Sequence, residues 1–485
     1  MPLILPGNVG SATAATGFNV ANSCRFNSGS SDFLGANQFS NTAFDSTKKF
    51  TLSVWVKKTS NGVDNSIFGV ESDVGSDGKT TQFYFDTSDQ LRFYDNFNNV
   101  SDVKTNRVFR DNSAFYNIIL AVDYTQSTNS NRVKIIVNGE QETSLATSTY
   151  ANQNDNITAL QQNRGIILGV NENTGGTKYG YFNGYMSEFV FLDGIAADQT
   201  SFGEVDSDSG IFKPIDVSGL TFGTNGFYLD FEDSSALGND AAGSNNFTVN
   251  NLTAIDQSTD TCTNNFATLN PLDNVVSQAV FTEGNLKSTM NNSNSQGVGS
   301  TGTFWVSSGK WYVEAKLINN AGDNGSAFGV TGKVGLSTAS ADRVGNSADA
   351  ITYTDTGQKA IAGSYTNSYG SSFTNGDIIG IYIDLDNLKI YFAKNGSLQN
   401  SGTGLTLNAI ANTLNGVYTF SVGMNAGTGT PVFEINFGGT QTYSISSAVT
   451  DDNGYGNFEY SPNITGDSVA KKFYSMCTKN LAEYG

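Results

Sequence analysis

Short runs of alternating apolar and polar residues, each followed by a polar turn cluster, recur along the chain. Residues 50–56, Phe-Thr-Leu-Ser-Val-Trp-Val, are typical of them. Similar runs lie at 81–86, 91–95, 115–123, 132–138, 165–170 and 185–192. Alternation at every second residue is the pattern of a half-buried β-strand. Strands this short and closely spaced predict a β-sandwich, whereas no segment of ten or more residues has a strong helical period.

The composition fits an all-β chain. Only 15% of the 485 residues are charged, and Gly, Ser, Thr and Asn make up the difference. Ser, Thr and Asn side chains compete with helical backbone hydrogen bonds and favour turns instead. The 33 Phe and 21 Tyr supply the apolar surface that a disordered chain lacks. At about 100–200 residues per domain, the length predicts two to four domains.

The strand-like runs fall into two blocks. The second block begins near residue 303, and residues 200–280 before it have few runs and many Asp, Ser, Asn and Gly. We therefore predict an all-β fold of two antiparallel β-sandwich (jelly-roll) domains joined by an irregular acidic connector, with a short C-terminal tail. The expected ranges are 1–205, 206–280, 281–440 and 441–485, and a short helix is expected near Ser468–Asn480.

Several kinds of chemistry are excluded by composition. The chain has no His, so it has no Ser-His-Asp or Cys-His nucleophile, and the common zinc sites are absent. The net charge of −19 disfavours a nucleic-acid partner, and no apolar run approaches the roughly 20 residues that span a bilayer. We predict no cofactor, no nucleic-acid partner and no membrane insertion. Cys24, Cys262 and Cys477 are too few and too distant for a disulfide framework, so buried free thiols are expected.

The first block resembles the laminin-G, or concanavalin A-like, lectin/glucanase sandwich over about residues 20–200. The resemblance rests on Ser23-Cys24-Arg25-Phe26 and on the runs 49–57, 117–123, 131–139 and 184–194. It implies the fold and leaves the ligand open.

The second block resembles a SPRY (B30.2-like) domain over about residues 300–440. The resemblance rests on the runs 309–314, 334–337, 375–384, 388–396 and 433–438. SPRY domains are binding modules that recognise partners through surface loops, so the resemblance implies a protein that is not an enzyme.

The combination is similar to tail-fibre-like and other virion surface proteins of marine bacteriophages. The segments that carry this resemblance are 226–231 (Gly-Phe-Tyr-Leu-Asp-Phe), 263–271 and 473–481. It implies a virion structural protein, a fibre or surface appendage that binds host surface polysaccharide or protein. Other virion proteins and further copies of the chain, as in a trimer, would be its partners.

Two alternatives to the fibre remain open. The first is a capsid or tail decoration or adaptor protein with a purely structural role. The second is a secreted carbohydrate-binding protein or glycoside hydrolase. Residues 1–7 lack the basic and apolar regions of a secretory signal. We therefore expect synthesis in the host cytoplasm and a final location on the virion, in a surface appendage or the tail.

Catalytic residues are not expected. Glucanases of the concanavalin A-like class carry E-x-D-x-x-E on one strand, which places carboxylates in one cleft about 5–5.5 Å apart. The nearest string here begins at Glu188. It has Val190 two residues later, where the motif has Asp, and Asp193 five residues later, where the motif has its second Glu. Residues five apart on a regular strand face opposite sides. Glu188 is therefore expected to be a strand carboxylate with a local partner.

No metal-binding or ligand-binding residue is assigned from the sequence. Asp384-Leu385-Asp386-Asn387 has the composition of a cation loop but is expected to be a hairpin turn, and the acidic connector lacks EF-hand spacing. Tyrosines among Gly, Ser and Asn could stack on sugar rings, although loop packing or a subunit interface is expected for them. These are Tyr179, Tyr181, Tyr185, Tyr365 and Tyr369.

Overall fold

The fold is that of a computed structural model of the whole chain. The described residues are 17–36, 43–71, 78–161, 164–173, 175–273, 279–290, 298–320, 325–332, 344, 347–411, 416–424, 430–465 and 471–485. The run 334–337 of the SPRY resemblance lies outside them, as do residues 1–7 and the start of the helix expected near Ser468–Asn480.

The first compact unit extends from Ala15 to Thr263. Its strands are β1 (Ser23–Phe26), β2 (Phe33–Ala36), β3 (Lys49–Lys58), β4 (Asn65–Val70), β5 (Thr81–Phe85), β6 (Gln90–Asp95), β7 (Ser101–Val108), β8 (Tyr116–Asp123), β9 (Val133–Val137), β10 (Glu140–Gln141), β11 (Leu145–Thr149), β12 (Ile166–Leu168), β13 (Asn171–Glu172), β14 (Lys178–Tyr179), β15 (Gly184–Asp193), β16 (Gly203–Val205), β17 (Phe212–Pro214), β18 (Phe227–Leu229), β19 (Thr248–Asn250) and β20 (Gln257–Ser258). Short 3-10 turns lie at Asn129–Asn131, Thr158–Leu160, Gln199–Ser201 and Ala254–Asp256.

Two eight-stranded antiparallel sheets form the sandwich of this unit, and β13-β14 and β16-β17 pair as separate two-stranded sheets. One has the order β10-β9-β8-β3-β15-β1-β20, with β18 added beside β15. The other has the order β11-β7-β6-β5-β4-β12-β2-β19. Aromatic rings from both sheets stack in the core between them. Phe191 on β15 lies 5.9 Å from Phe68 on β4 and 5.4 Å from Phe50 on β3.

Residues 206–263, which the sequence places in a connector, lie within the first unit. Strand β18 pairs with β15, β19 pairs with β2, and β20 pairs with β1. Phe227 stacks on Phe191 at 5.3 Å, and Phe231 and Phe247 are buried in the same core. These strands are two or three residues long, too short to show alternation in the sequence.

The second compact unit contains residues 264–485. Its strands are β21 (Ala279–Thr282), β22 (Lys287–Met290), β23 (Val298–Thr301), β24 (Lys310–Asn319), β25 (Ser326–Thr331), β26 (Ala350–Thr354), β27 (Lys359–Ile361), β28 (Ser364–Thr366), β29 (Ile378–Asp384), β30 (Lys389–Lys394), β31 (Ser397–Leu398), β32 (Leu405–Thr406), β33 (Thr419–Met424), β34 (Val432–Asn436) and β35 (Tyr474–Ser475), followed by helix α1 (Thr478–Tyr484). Short 3-10 turns lie at Asn400–Gly402 and Leu407–Ala409.

Two sheets also form the second unit. One has the order β21-β22-β34-β24-β29-β30-β31, with β32 beside β30 and β35 beside β24. The other has the order β23-β33-β25-β26-β27-β28. The C-terminal residues belong to this unit, because β35 pairs in parallel with β24. Phe458, Ile464 and Phe473 pack on the tyrosines of the first sheet.

The structure confirms the predicted all-β class with two β-sandwiches. Cys24 and Cys477 are buried free thiols as expected, and Cys262 is free but only half-buried. Within the described residues, no helix is long and apolar enough to cross a bilayer.

Candidate functional site

The outer surface of the β4–β7 sheet in the first unit carries a cluster of polar and aromatic side chains. Successive residues of a strand point to opposite faces of a sheet. In β5 and β6, Phe83 and Phe93 enter the core. Their neighbours on the outer face are Gln82, Tyr84, Arg92 and Tyr94, with Asp102 and Lys104 beside them on β7. We call these six residues the outer face.

Cross-strand pairing places Arg92 at the centre of the outer face. Tyr84 is paired with Arg92, and Tyr94 with Asp102. The Arg92 guanidinium donates to both carboxylate oxygens of Asp102, at 2.8 and 2.7 Å. It also donates from Nη1 to the Tyr84 hydroxyl oxygen at 3.1 Å. The hydrogen bonds that Arg92 donates to Asp102 hold the pKa of Arg92 above its ordinary value, and a bidentate pair of this kind fixes the guanidinium plane.

The hairpin of β13 and β14 packs against β4, beside the outer face. It lies so close to β4 that a Cβ on Gly69 would be 2.9 Å from the Val170 carbonyl oxygen. The Ser66 hydroxyl donates to Asn171 Oδ1 at 2.7 Å and holds the hairpin there. The hairpin thereby brings Tyr179 over β5.

The hydroxyls of Tyr84 and Tyr179 each accept one hydrogen bond and donate none within the site. Gln82 Nε2 donates to the Tyr179 hydroxyl at 2.8 Å, just as Arg92 donates to Tyr84. Within the part of the chain that the structure describes, neither hydroxyl donates to an acceptor. Burial raises the pKa of both phenols, so both keep their protons at neutral pH. The two hydroxyls are therefore oriented donors for a bound molecule.

Asp64 adds a carboxylate at the edge of the site. It immediately precedes β4 and lies against Gly180, where an added Cβ would be 3.3 Å from Asp64 Cβ. Burial and then the negative charge of Asp86 raise the pKa of Asp64, while the Thr87 amide and Arg92 oppose the rise. Among the described residues Asp64 has no ion-pair partner, whereas Asp86 pairs with Lys104 at 3.3 Å.

Of the five tyrosines singled out in the sequence, only Tyr179 belongs to this site. Tyr181 is half-buried, with its ring 6.4 Å from that of Phe33. Tyr185 is fully buried on the other sheet. In the second unit, Tyr365 is half-buried on β28, and Tyr369 packs edge-on against Tyr353 and Phe392. Loop and core packing therefore describes Tyr185 and Tyr369.

Glu188 lies at a β-bulge in β15, where its φ of 50° and a shift in pairing with β3 mark the irregularity. The Tyr228 hydroxyl donates to Glu188 Oε2 at 2.6 Å, and burial raises the pKa of Glu188 to about 7. Asp193 instead accepts from the amides of Asp45 and Asn225, at 3.0 and 3.1 Å. The two carboxylates have separate partners and do not form the pair that a glucanase requires.

The suspected cation loop is the turn between β29 and β30. Asp384 accepts hydrogen bonds from Asn387, and Asp386 accepts from Lys310 Nζ at 2.5 Å. In the acidic connector, Asp216 and Asp233 accept from the amides of Ser218 and Ser235. The hydroxyls of these serines, and then their amides, lower the pKa of both carboxyls. No described group of three or more acidic or Cys side chains could hold a metal ion.

Four residues of this site were not predicted from the sequence: Asp64, Gln82, Tyr84 and Arg92. Alternation in the runs 81–86 and 91–95 was the available signal, because it separates Gln82 and Tyr84 from the core residue Phe83. The contribution of Tyr179 depends on the fold of the hairpin and on the space left by Gly69, which local alternation does not show.

Comparisons with known proteins agree with two domains. Residues 30–197 match the model of the concanavalin A-like lectin/glucanases superfamily, and residues 310–431 match that of the SPRY domain. No curated protein matches the chain. The chain therefore has a laminin-G-like (concanavalin A-like) domain followed by a SPRY domain. The site described above lies in the first.

The solved structures that are similar to parts of this chain include two SPRY domains and a pentraxin. The SPRY domain of human HERC1 is 17% identical, with a TM-score of 0.29, and the match covers 36% of this chain and 99% of that one. A second human SPRY domain is 16% identical, with a TM-score of 0.25 and coverage of 33% and 94%. A heptameric SAP-like pentraxin from Limulus polyphemus is 10% identical, with a TM-score of 0.27 and coverage of 36% and 77%.

Proposed function

We propose that the chain is a bacteriophage virion structural protein, a fibre or surface appendage, and that its first domain binds a host surface glycan on the outer face and the adjoining hairpin. The observation that carries the glycan proposal is the pair of oriented hydroxyl donors, Tyr84 and Tyr179. Each hydroxyl oxygen accepts a hydrogen bond from a neighbouring side chain, so its own proton can be donated to a ligand.

The chemistry of the site matches that of a sugar. A sugar presents hydroxyl groups around its rim and apolar C–H groups on its ring faces. Tyrosine offers an apolar ring with a polar tip, and the half-buried Tyr94 and Tyr179 supply such rings beside the Arg92 guanidinium. The contacts among these side chains already order them, so binding would cost less side-chain entropy than on a flexible surface.

The assembled particle would compensate for weak single sites. Several copies in one appendage, as in a homo-trimer anchored through other virion proteins, would bind a repetitive host surface together. The net charge of −19 favours solubility of such an assembly. In this proposal the chain is not an enzyme, and the separate partners of Glu188 and Asp193 support that view.

Binding to host cells tests the proposal. Full-length protein with Tyr84→Phe and Tyr179→Phe combined should lose most of its saturable binding, which extracted host polysaccharide should compete. The matched control is Tyr150→Phe, because Tyr150 is half-buried in the same unit and its hydroxyl has no hydrogen-bond partner among the described residues. Unchanged binding by the double variant would overturn the site.

The experiment must distinguish glycan binding from a purely structural role. If the wild-type protein, including its oligomeric form, binds neither cells nor polysaccharide, the glycan proposal fails. The decoration or adaptor alternative would then be supported if adding the protein raised the melting temperature of purified capsids or tails.

A further inference from the structure

We propose that Asp64 sets the charge preference of the binding site, so that the site favours neutral and ammonium-bearing sugars over sugars that carry carboxylate or sulfate. This inference rests on the proposed function, because it names the class of glycan that the same site takes.

The cations of the site are already matched by carboxylates. Three ion pairs account for them: Arg92 with Asp102 at 2.7 Å, Lys104 with Asp86 at 3.3 Å, and Lys178 with Glu172 at 2.6 Å. Lys178 also has Glu71 at 3.5 Å. An anionic sugar would have to compete with these carboxylates for each cation, so the site holds no free positive charge that attracts one.

Asp64 adds negative charge where a ligand would lie. Its backbone and Cβ contact the Gly180 position, directly after Tyr179. Burial is the main cause of the raised pKa of Tyr84 and of Tyr179, and the negative charge of Asp64 adds to the rise in both. A sugar that accepts hydrogen bonds from these two hydroxyls is therefore close to the Asp64 carboxylate.

The two classes of charged sugar would meet opposite forces there. An ammonium group could form a charge-assisted hydrogen bond with Asp64, whereas a carboxylate or sulfate would place a like charge beside it. For a half-exposed carboxylate, the expected discrimination is about fivefold in Kd in each direction. It should shrink as salt rises, because exposed charges are screened over about 10 Å at 0.1 M.

The pH dependence follows from the shifted pKa of Asp64. Burial raises that pKa, so Asp64 begins to take up a proton at a less acidic pH than an ordinary aspartate. The discrimination against anionic sugars should be complete at neutral pH and should fall as the pH is lowered through the Asp64 pKa. The ion-paired carboxylates Asp86, Asp102, Glu71 and Glu172 face the same site, and the Asp64→Asn variant separates their contribution from that of Asp64.

A glycan array containing neutral, ammonium-bearing, carboxylated and sulfated oligosaccharides tests the inference on full-length protein. The wild-type protein should bind neutral members about fivefold more tightly than anionic ones, and ammonium-bearing members about fivefold more tightly than neutral ones. Asp64→Asn should lose the preference for ammonium and raise the relative affinity for anionic sugars about fivefold. The control Asp208→Asn makes the same charge change at an exposed turn and should behave as wild type.

The outcomes separate this inference from the proposed function. Strong binding of carboxylated or sulfated sugars by the wild type, or an unchanged pattern in Asp64→Asn, would overturn the role of Asp64 and leave glycan binding intact. Binding to no member of the array would overturn the glycan proposal, and the inference with it. A thermal melt of Asp64→Asn that matches wild type establishes that the variant is folded.

Discussion

Lys57 and Lys58 are adjacent at the end of β3, yet their ammonium groups are buried on opposite faces of one sheet. Lys57 pairs with Asp260 at 2.5 Å, with exposed side-chain fractions of 0% and 1%. Lys58 points into the space between the sheets, where it donates to Asp89 and to the Phe109 carbonyl, both at 3.0 Å. One lysine therefore holds the 256–263 segment, and the other ties β3 to the β5–β6 turn of the facing sheet.

The Lys58–Asp89 pair predicts an asymmetry between its two single variants. Lys58→Met leaves Asp89 with Arg110 at 3.0 Å and the Gly62 amide at 2.9 Å, whereas Asp89→Asn leaves a buried ammonium without its counter-ion. We expect Asp89→Asn to lower the free energy of unfolding by about 3 kcal/mol and Lys58→Met to lower it less. Urea unfolding read by pulsed hydrogen exchange on β3 peptides measures both.

Arg110→Met is the control for this pair, because its side chain is 61% exposed and its ion pair with Asp89 should contribute less than about 1 kcal/mol. A larger loss for Lys58→Met than for Asp89→Asn would show that the aliphatic packing of the lysine, and not its charge, holds the turn.

Glu188 predicts a loss of stability as the pH rises. Its pKa is about 7 in the folded chain, above the ordinary value near 4.5, so between these two values the folded state binds more protons than the unfolded state. The free energy of unfolding should therefore fall from pH 5 to pH 8 by about 2.5 kcal/mol through this group. Glu188→Gln should remove this component, measured by urea unfolding at the two pH values on β15 peptides.

The exposed Glu140 provides the matched comparison, and Glu140→Gln should keep the wild-type difference between pH 5 and pH 8. If Glu188→Gln and wild type lose the same stability over this interval, the carboxyl is ionised in the folded chain and the hydrogen bond from Tyr228 stabilises the charged form.

Whether a strand can be predicted from the sequence depends on its length. Runs such as 50–56 are long enough for alternation to show, and both sandwiches follow from them. Strands β18 to β20 have two or three residues, so their place in the first unit depends on pairing with distant strands. The β-bulge at Glu188 was likewise not predicted, because it is defined by the pairing of β15 with β3 and not by the local sequence.

Gly69→Ala should weaken glycan binding without touching a ligand contact. The added Cβ would lie 2.9 Å from the Val170 carbonyl oxygen and 3.0 Å from Asn171 Oδ1, so the β13–β14 hairpin must move and take Tyr179 away from Gln82. We expect a roughly tenfold rise in Kd, the loss of about one well-placed hydrogen bond, measured on the sugar found to bind. Gly219→Ala, at a position with open space around it, is the control. Wild-type affinity in Gly69→Ala would show that Tyr179 does not contribute.

The contacts of Glu314 on β24 indicate how residues 443–460 are held in the second unit. This buried carboxylate accepts from the hydroxyls of Tyr312 and Tyr443, at 3.0 and 2.9 Å, and from the amides of Glu459 and Tyr460, at 3.0 and 2.8 Å. Burial raises the pKa of Glu314, and these donors oppose the rise.

Replacing Glu314 by Ala would leave several buried donors without an acceptor, each costing about 1–3 kcal/mol. Residues 443–460 should then detach before the rest of the unit unfolds, because their amides lose the carboxylate that holds them to β24. Limited proteolysis should cut the variant first within this segment, while Glu140→Ala, at an exposed position on β10 of the first unit, should be cut as slowly as wild type. Equal resistance in Glu314→Ala would show that the apolar contacts of Phe458, Ile464 and Phe473 hold the segment by themselves.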